Sequence, residues 1–126
     1  NEYQAKGLIV YHGLVENVID YVKNSHCIVL PSFHPEGVSN VLLEAAACAR
    51  PLITTDHPGC RETVDQGKSG YLVKIKSGED LINKMEQFIA LSPEEKIAMG
   101  RAGRAKIEKE FDREIVVRAY MNIIKQ

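Results

Sequence analysis

Apolar residues along this chain fall first in short solid blocks and then in helical stripes. Leu8 to Tyr11 is an apolar run closed by His12-Gly13, which predicts a buried strand ending at a turn. Val15, Val18, Ile19 and Val22 recur at helical spacing, and Lys23-Asn24-Ser25 closes that helix. Cys27 to Leu30 is a second solid run, bounded by Pro31. Strands apolar on both faces belong to parallel sheets covered by helices. A loop from Ser32 to Val38 holds Pro35 and Gly37, and Ser39 or Asn40 can cap the following helix, which carries Val41, Leu42, Leu43, Ala46 and Ala47. Its alanines allow close approach to a sheet. Pro51 to Thr55 predicts a third strand, Pro58-Gly59 a turn, Arg61 to Asp65 a short helix stopped by Gly67, and Tyr71 to Ile75 a fourth strand.

From Ser77 the pattern becomes helical. Ser77 and Asp80 resemble a capping box with Asp in place of Glu, ahead of a stripe of Leu81, Ile82, Met85, Phe88 and Ile89. Ser92-Pro93-Glu94-Glu95 opens another helix running to about Glu110. After Phe111-Asp112, a last helix over about 113–126 carries Ile115, Val116, Ala119, Tyr120, Ile123 and Ile124, a band broad enough to require a partner surface. Alternation of strand and helix, then helices, predicts an α/β fold: an open, mostly parallel sheet with flanking and C-terminal helices. Ligands of such sheets sit at the carboxyl ends of the strands, where the Pro31–Val38 loop and the His57–Cys60 turn emerge.

Composition narrows this picture without redirecting it. The 126 residues, 44% hydrophobic and 26% charged, suit one domain with a core. The net charge of −1 comes from scattered residues and offers no footprint for nucleic acid or an anionic membrane. No apolar run approaches the roughly 18–20 residues of a spanning helix, and no secretory leader is recognisable, so the expectation is a cytoplasmic protein. Cys27, Cys48 and Cys60, odd in number and unrelated in spacing, read as reduced and mostly buried thiols. The sequence opens at Asn1 and enters a strand-like segment almost at once, which predicts a piece of a longer protein.

Chemistry gathers between Glu36 and Glu44. The two carboxylates, eight residues apart, reach one ligand from a loop and from the helix it feeds. Between them the amides of Gly37, Val38 and Ser39 lead into a helix N-terminus, where unpaired N–H groups and the positive dipole end favour phosphate. Gly37 lets backbone approach closely. Glutamate cannot pair with phosphate, so each must face sugar hydroxyls, which donate well to carboxylates. A nucleotide sugar presents both features. The same spacing also arises where Glu44 is merely favoured by the helix dipole.

Around this pair, Leu30-Pro31-Ser32, Glu36-Gly37, Leu42-Leu43-Glu44-Ala45, Arg50-Pro51, Ile53-Thr54-Thr55 and Pro58-Gly59-Cys60-Arg61-Glu62 fall in order and in register. The chain thereby resembles glycosyltransferase family 4, the retaining enzymes of GT-B architecture. The likeness extends through His12-Gly13, Gly70-Tyr71-Leu72-Val73 and Met99-Gly100. Thr54-Thr55-Asp56 followed by Pro58-Gly59-Cys60-Arg61-Glu62 is most similar to members that build bacterial surface polysaccharides, such as capsule and lipopolysaccharide, on lipid carriers.

The resemblance implies that Glu44 accepts from the ribose hydroxyls, that Glu36 holds a hydroxyl of the transferred sugar, that the Gly37–Ser39 amides meet the phosphates, and that Arg61 and Glu62 order the neighbouring loop. Glu36, the candidate catalytic residue, is then a positioning group rather than a base. Departure of the nucleoside diphosphate would be stabilised electrostatically. No metal or cofactor is implied, and the chain has no Asp-x-Asp pair to hold a metal. UDP is the implied nucleotide by frequency within the family. The implied partners are a nucleotide-sugar donor and a glycan or lipid-linked acceptor, the latter bound by a preceding domain at the inner membrane surface.

Ser39 stands where the family commonly has proline, Ala46 where it has methionine, and Ala49 where it has glycine. Ala49 leaves open a shifted turn into the third strand. Family members also bring an Arg and a Lys to the diphosphate from a segment ahead of this sequence. The expectation is therefore the latter part of a Rossmann-like donor-binding domain, inactive alone, whose last helix packs on the acceptor domain or mediates self-association.

Other readings are weaker. His57 and Cys60, with His34 and His12, lack the second pair at ligand spacing that a zinc site uses. Cys60 has no implied base partner. A signalling receiver domain needs an acidic cluster where Val10-Tyr11-His12-Gly13 stands. A nucleotide-sugar epimerase, a phosphorylase of the same architecture, and a binding-only homologue remain as alternatives. Charges from Glu94 to Lys109 read as a solvated helix face.

Overall fold

The structure, a computed structural model, describes residues 2–13, 17–32 and 39–111. Its elements are α1 (Glu2–Ala5), α2 (Val18–Lys23), β1 (Ile28–Leu30), α3 (Asn40–Ala47), β2 (Leu52–Thr55), β3 (Gly70–Val73), α4 (Gly78–Ile89) and α5 (Pro93–Glu110), with a single 3-10 turn at Arg61–Thr63. The three strands form a parallel sheet in the order β1-β2-β3. Ile28 pairs with Leu52, and Leu52 with Gly70. The predicted open parallel α/β architecture is therefore present.

β2 is central and buried along its whole length. On one face Leu52 packs with Leu42, Leu43, Ala45 to Ala47 and Ile107; on the other, Ile53 packs with Val73, Phe88 and Met99. This two-sided burial explains why β2 lacks polar alternation. The alanines let α3 lie close to the sheet, and a Cβ added to Gly103 of α5 would lie only 3.9 Å from the Ala46 methyl. Gly70 is required sterically: a Cβ there would lie 1.9 Å from the Leu52 carbonyl oxygen.

Several local expectations are corrected. Leu8 to Tyr11 forms no strand; Leu8, Val10 and Tyr11 are 70%, 70% and 79% exposed. In a doubly wound sheet of order 3-2-1-4-5-6, three adjacent strands in chain order match the second half, and a strand just ahead of them belongs at the far edge. There it has no neighbour among the described residues. The helix predicted from Arg61 to Asp65 is a single 3-10 turn, and β3 ends at Val73, leaving Ile75 exposed. Ser77 does cap α4 through the Asp80 N–H, but the Asp80 carboxylate accepts from the Lys74 N–H at 2.8 Å. One methylene shorter than Glu, Asp does not close the reciprocal box. On α5 the Ser92–Glu95 box is complete. Of the α4 stripe only Phe88 is buried, while Ile82, Met85 and Ile89 face outward. Val15, the loop residues 33–38 and the predicted last helix lie outside the described residues.

The turn into β2 places Ala49 in left-handed backbone, at φ 59°. Left-handed backbone costs an L-residue roughly 1–2 kcal/mol. The turn is held there by α5: a Cβ on Gly100 would lie 2.0 Å from the Ala49 carbonyl oxygen. Ala49→Gly is therefore expected to stabilise the chain by about 1 kcal/mol, and Gly100→Ala to destabilise it by about 1–3 kcal/mol. Denaturant unfolding midpoints check both.

Candidate functional site

The carboxyl ends of β1 and β2 carry a set of hydrogen bonds that hold the entry and exit of the intervening loop. Thr54 and Thr55 are both buried. Their hydroxyls cannot reach water, so they must find acceptors within the protein. Thr54 Oγ1 donates to the Leu30 carbonyl at 2.7 Å, and Thr55 Oγ1 donates to the Ser32 carbonyl. The chain leaving β1 is thus tied to the end of β2.

The other end of the loop meets α3. Ser39 is its N-cap, with Oγ accepting from the Leu42 N–H at 3.3 Å. The Ser39 N–H donates to the Gly59 carbonyl at 2.9 Å. Gly59, at φ 92°, in turn donates its N–H to Glu62 Oε2 at 2.8 Å. Arg61 pairs with Asp56 Oδ1 at 3.1 Å and donates to the Asp56 carbonyl at 3.2 Å, both side chains being partly exposed. An ion pair so exposed contributes only about 0–1 kcal/mol, so its effect is on local geometry. His57 Nδ1 lies 3.0 Å from the Pro58 carbonyl, which can only accept, so that nitrogen carries the proton.

Glu44 lies at the fifth position of α3, beyond the first turn, which holds no acidic residue. The dipole advantage of a carboxylate is concentrated in that first turn, so it does not account for Glu44. The side chain is half-buried, and it has no hydrogen bond or ion pair to another described residue. A half-buried carboxylate in that condition is suited to accept from a ligand.

Of the sequence-predicted residues, Ser39, Glu44, Arg61 and Glu62 are described, and the first and last of these are joined through Gly59. Glu36, Gly37 and Val38 lie outside the described residues. Thr54 and Thr55 stand in the sequence as part of a strand and of the family-like pattern, with no site role assigned to them. Their signal was two hydroxyls in succession at the end of an otherwise apolar strand.

The thiols have no nucleophilic setting. Burial pushes the Cys27 thiol up to about 12 against a weaker opposing hydrogen bond with the Ile28 backbone. Burial also raises Cys48, and Cys60 is buried against the core. Among the described residues, no three His, Cys, Asp or Glu side chains group as a metal site would require.

An open parallel sheet with a capped helix and a carboxylate near the carboxyl ends of its strands is the architecture of one half of a doubly wound α/β fold. The family described as Glycosyl transferases group 1 matches residues 1–90, and the chain belongs to it. It is 28% identical over 123 residues to a Campylobacter jejuni N,N'-diacetylbacillosaminyl-diphospho-undecaprenol alpha-1,3-N-acetylgalactosaminyltransferase, covering 97% of this chain and 32% of that protein. It is 31% identical over 102 residues to the Staphylococcus aureus capsular polysaccharide biosynthesis glycosyltransferase CapM, covering 81% of this chain and 26% of that protein. The chain thus spans about a third or less of these relatives. Anabaena HepE in complex with UDP shares the fold at a TM-score of 0.77 and 20% identity, over 98% of this chain and 34% of that one.

Two outcomes are expected. Thr55→Val should destabilise the chain by about 1–2 kcal/mol, because the Ser32 carbonyl loses its donor, while Thr55→Ser should recover most of the loss; thermal unfolding followed by circular dichroism checks this. At pH 8 a thiol held near 12 is deprotonated only on the order of once in ten thousand molecules. Native Cys27 should therefore alkylate far more slowly than in the denatured chain, as site-resolved mass spectrometry would record.

Proposed function

We propose that this chain is the latter part of the donor-binding domain of a retaining glycosyltransferase. The full-length enzyme moves a sugar from a nucleotide diphosphate sugar, UDP-linked, to a glycan or lipid-linked acceptor in bacterial surface-polysaccharide synthesis. Family membership and the names of the Campylobacter and Staphylococcus relatives support this reading, as does the UDP bound to the similarly folded Anabaena protein. The observation that carries it is Glu44, half-buried in α3, beside a helix start anchored to Gly59 through the Ser39 N–H.

In this proposal Glu44 accepts from the ribose hydroxyls, Glu36 positions the transferred sugar, and the amides from Gly37 to Ser39 meet the phosphates. Arg61 and Glu62 support the turn that holds Ser39. The charge developing on the departing diphosphate is stabilised by these amides and by cationic groups supplied from elsewhere in the protein. Among the described residues β1 is an edge strand, and a largely apolar groove of about 230 Å³ beside it is lined by His26, Cys27, Val29, Ile53, Met85, Phe88 and Ile89. That edge suits the remaining strands of a doubly wound sheet, which would also cover the outward face of α4. Among the described residues no helix is long and apolar enough to cross a membrane. The proposal places the work at the cytoplasmic side of the inner membrane.

In the full-length protein, Glu44→Ala is expected to weaken UDP binding about tenfold or more, since a charge-assisted bond to a ligand hydroxyl contributes roughly 1.5–3 kcal/mol. Isothermal titration calorimetry reads the change. Unaltered affinity in a correctly folded variant would refute the assignment of Glu44.

A further inference from the structure

A cleft of about 560 Å³ opens at the entering ends of β1 and β2, the edge of the sheet opposite to the candidate donor site. Lys23, His26, Arg50 and Lys96 line it together with Asn24 and Ser25, and no carboxylate does. The chain as a whole carries 16 basic and 17 acidic residues, so this segregation is not a product of net charge.

Arg50 is half-buried and rigidly held. Its Nε donates to the Val22 carbonyl at 3.2 Å, Nη1 to the Cys48 carbonyl at 3.0 Å, and Nη2 to the Lys23 carbonyl at 2.6 Å. These carbonyls end α2 and α3 and supply dipoles but no full charge. A guanidinium has five N–H donors, so two remain for another acceptor. Lys96 is also half-buried, with Nζ 5.3 Å from the centre of the Phe88 ring. Neither cation has a carboxylate partner among the described residues. Nearby Glu95 is turned to the Ser92 N–H at 3.0 Å, and Glu94 is exposed. Half-burial of unpaired cations is unfavourable unless an anion compensates them.

We propose that this cleft is a second anion site, separate from the donor site, that takes a phosphate-bearing group. Arg50 supplies a fixed pair of N–H donors, and Lys23 and Lys96 close on the phosphate from either side as point charges. The phosphate belongs to a soluble diphosphate or to an anionic lipid headgroup.

The test uses the chain in two arms: titration with inorganic pyrophosphate followed by NMR at Lys23, His26 and Lys96, and co-sedimentation with phosphatidylcholine vesicles with or without 30% phosphatidylglycerol. Saturable shifts with a dissociation constant of about 1 mM or tighter, weakened at least about tenfold in Lys23→Ala/Lys96→Ala, support the site and a soluble ligand. Sedimentation with the anionic vesicles alone, lost in the same variant, supports the site and a lipid headgroup. Lys23→Glu, at an exposed position, supplies the same comparison if the double variant does not fold. No response in either arm, or a response unchanged in the variants, overturns the proposal. Ser39 to Leu43, which report the donor site, are read separately, so failure of one site is distinguishable from failure of the other.

Discussion

The arrangement at the carboxyl edge of the sheet depends on what the end of β2 does for its neighbours. β2 is buried on both faces, and the hydroxyls of Thr54 and Thr55 have no water to turn to. They donate to the carbonyls of Leu30 and Ser32. The turn that follows β2 presents the Gly59 carbonyl to the Ser39 N–H, with Glu62 holding the Gly59 N–H from the other side. One strand and its turn thereby set where the chain leaves β1 and where it enters α3. A buried polar group left unsatisfied costs about 1–3 kcal/mol, so these bonds are constraints rather than ornaments.

This constraint gives Glu44 its meaning. α3 is held down by Leu42, Leu43 and three alanines against the sheet and against Ile107 of α5. With the helix fixed at its start and along its buried face, the carboxylate at the fifth position has a fixed place relative to the helix N-terminus. In the proposed donor site, a phosphate at that N-terminus and a hydroxyl at Glu44 would be two contacts of one ligand, at a separation set by the helix. At the opposite edge Arg50 ties the ends of α2 and α3 together, so the two ends of the layer are braced independently.

Much of this was legible in the residues. Solid apolar blocks marked the strands of a parallel sheet, and Ser39, Ser77 and Ser92 each cap the helix they were read to open. What escaped depends on long-range partners. Leu8 to Tyr11 has the composition of a strand, yet a strand also requires a neighbouring edge, and local sequence does not say where that neighbour is. The outward stripe of α4 reads the same whether its cover lies within these residues or beyond them. Ala49 looked able to displace the turn, but the close packing of Gly100 on its carbonyl holds it in left-handed geometry. Thr54 and Thr55 hid behind their strand propensity, since their acceptors lie more than twenty residues away in sequence.

The central claim is that the start of α3 and Glu44 form one nucleotide-binding edge. It is tested most directly by titrating the isotopically labelled chain with UDP and following backbone amides by NMR. The account predicts saturable shifts at Ser39 to Glu44 and at Gly59. Absence of shifts at millimolar UDP in the folded chain, or shifts confined to the opposite edge of the sheet, would contradict it.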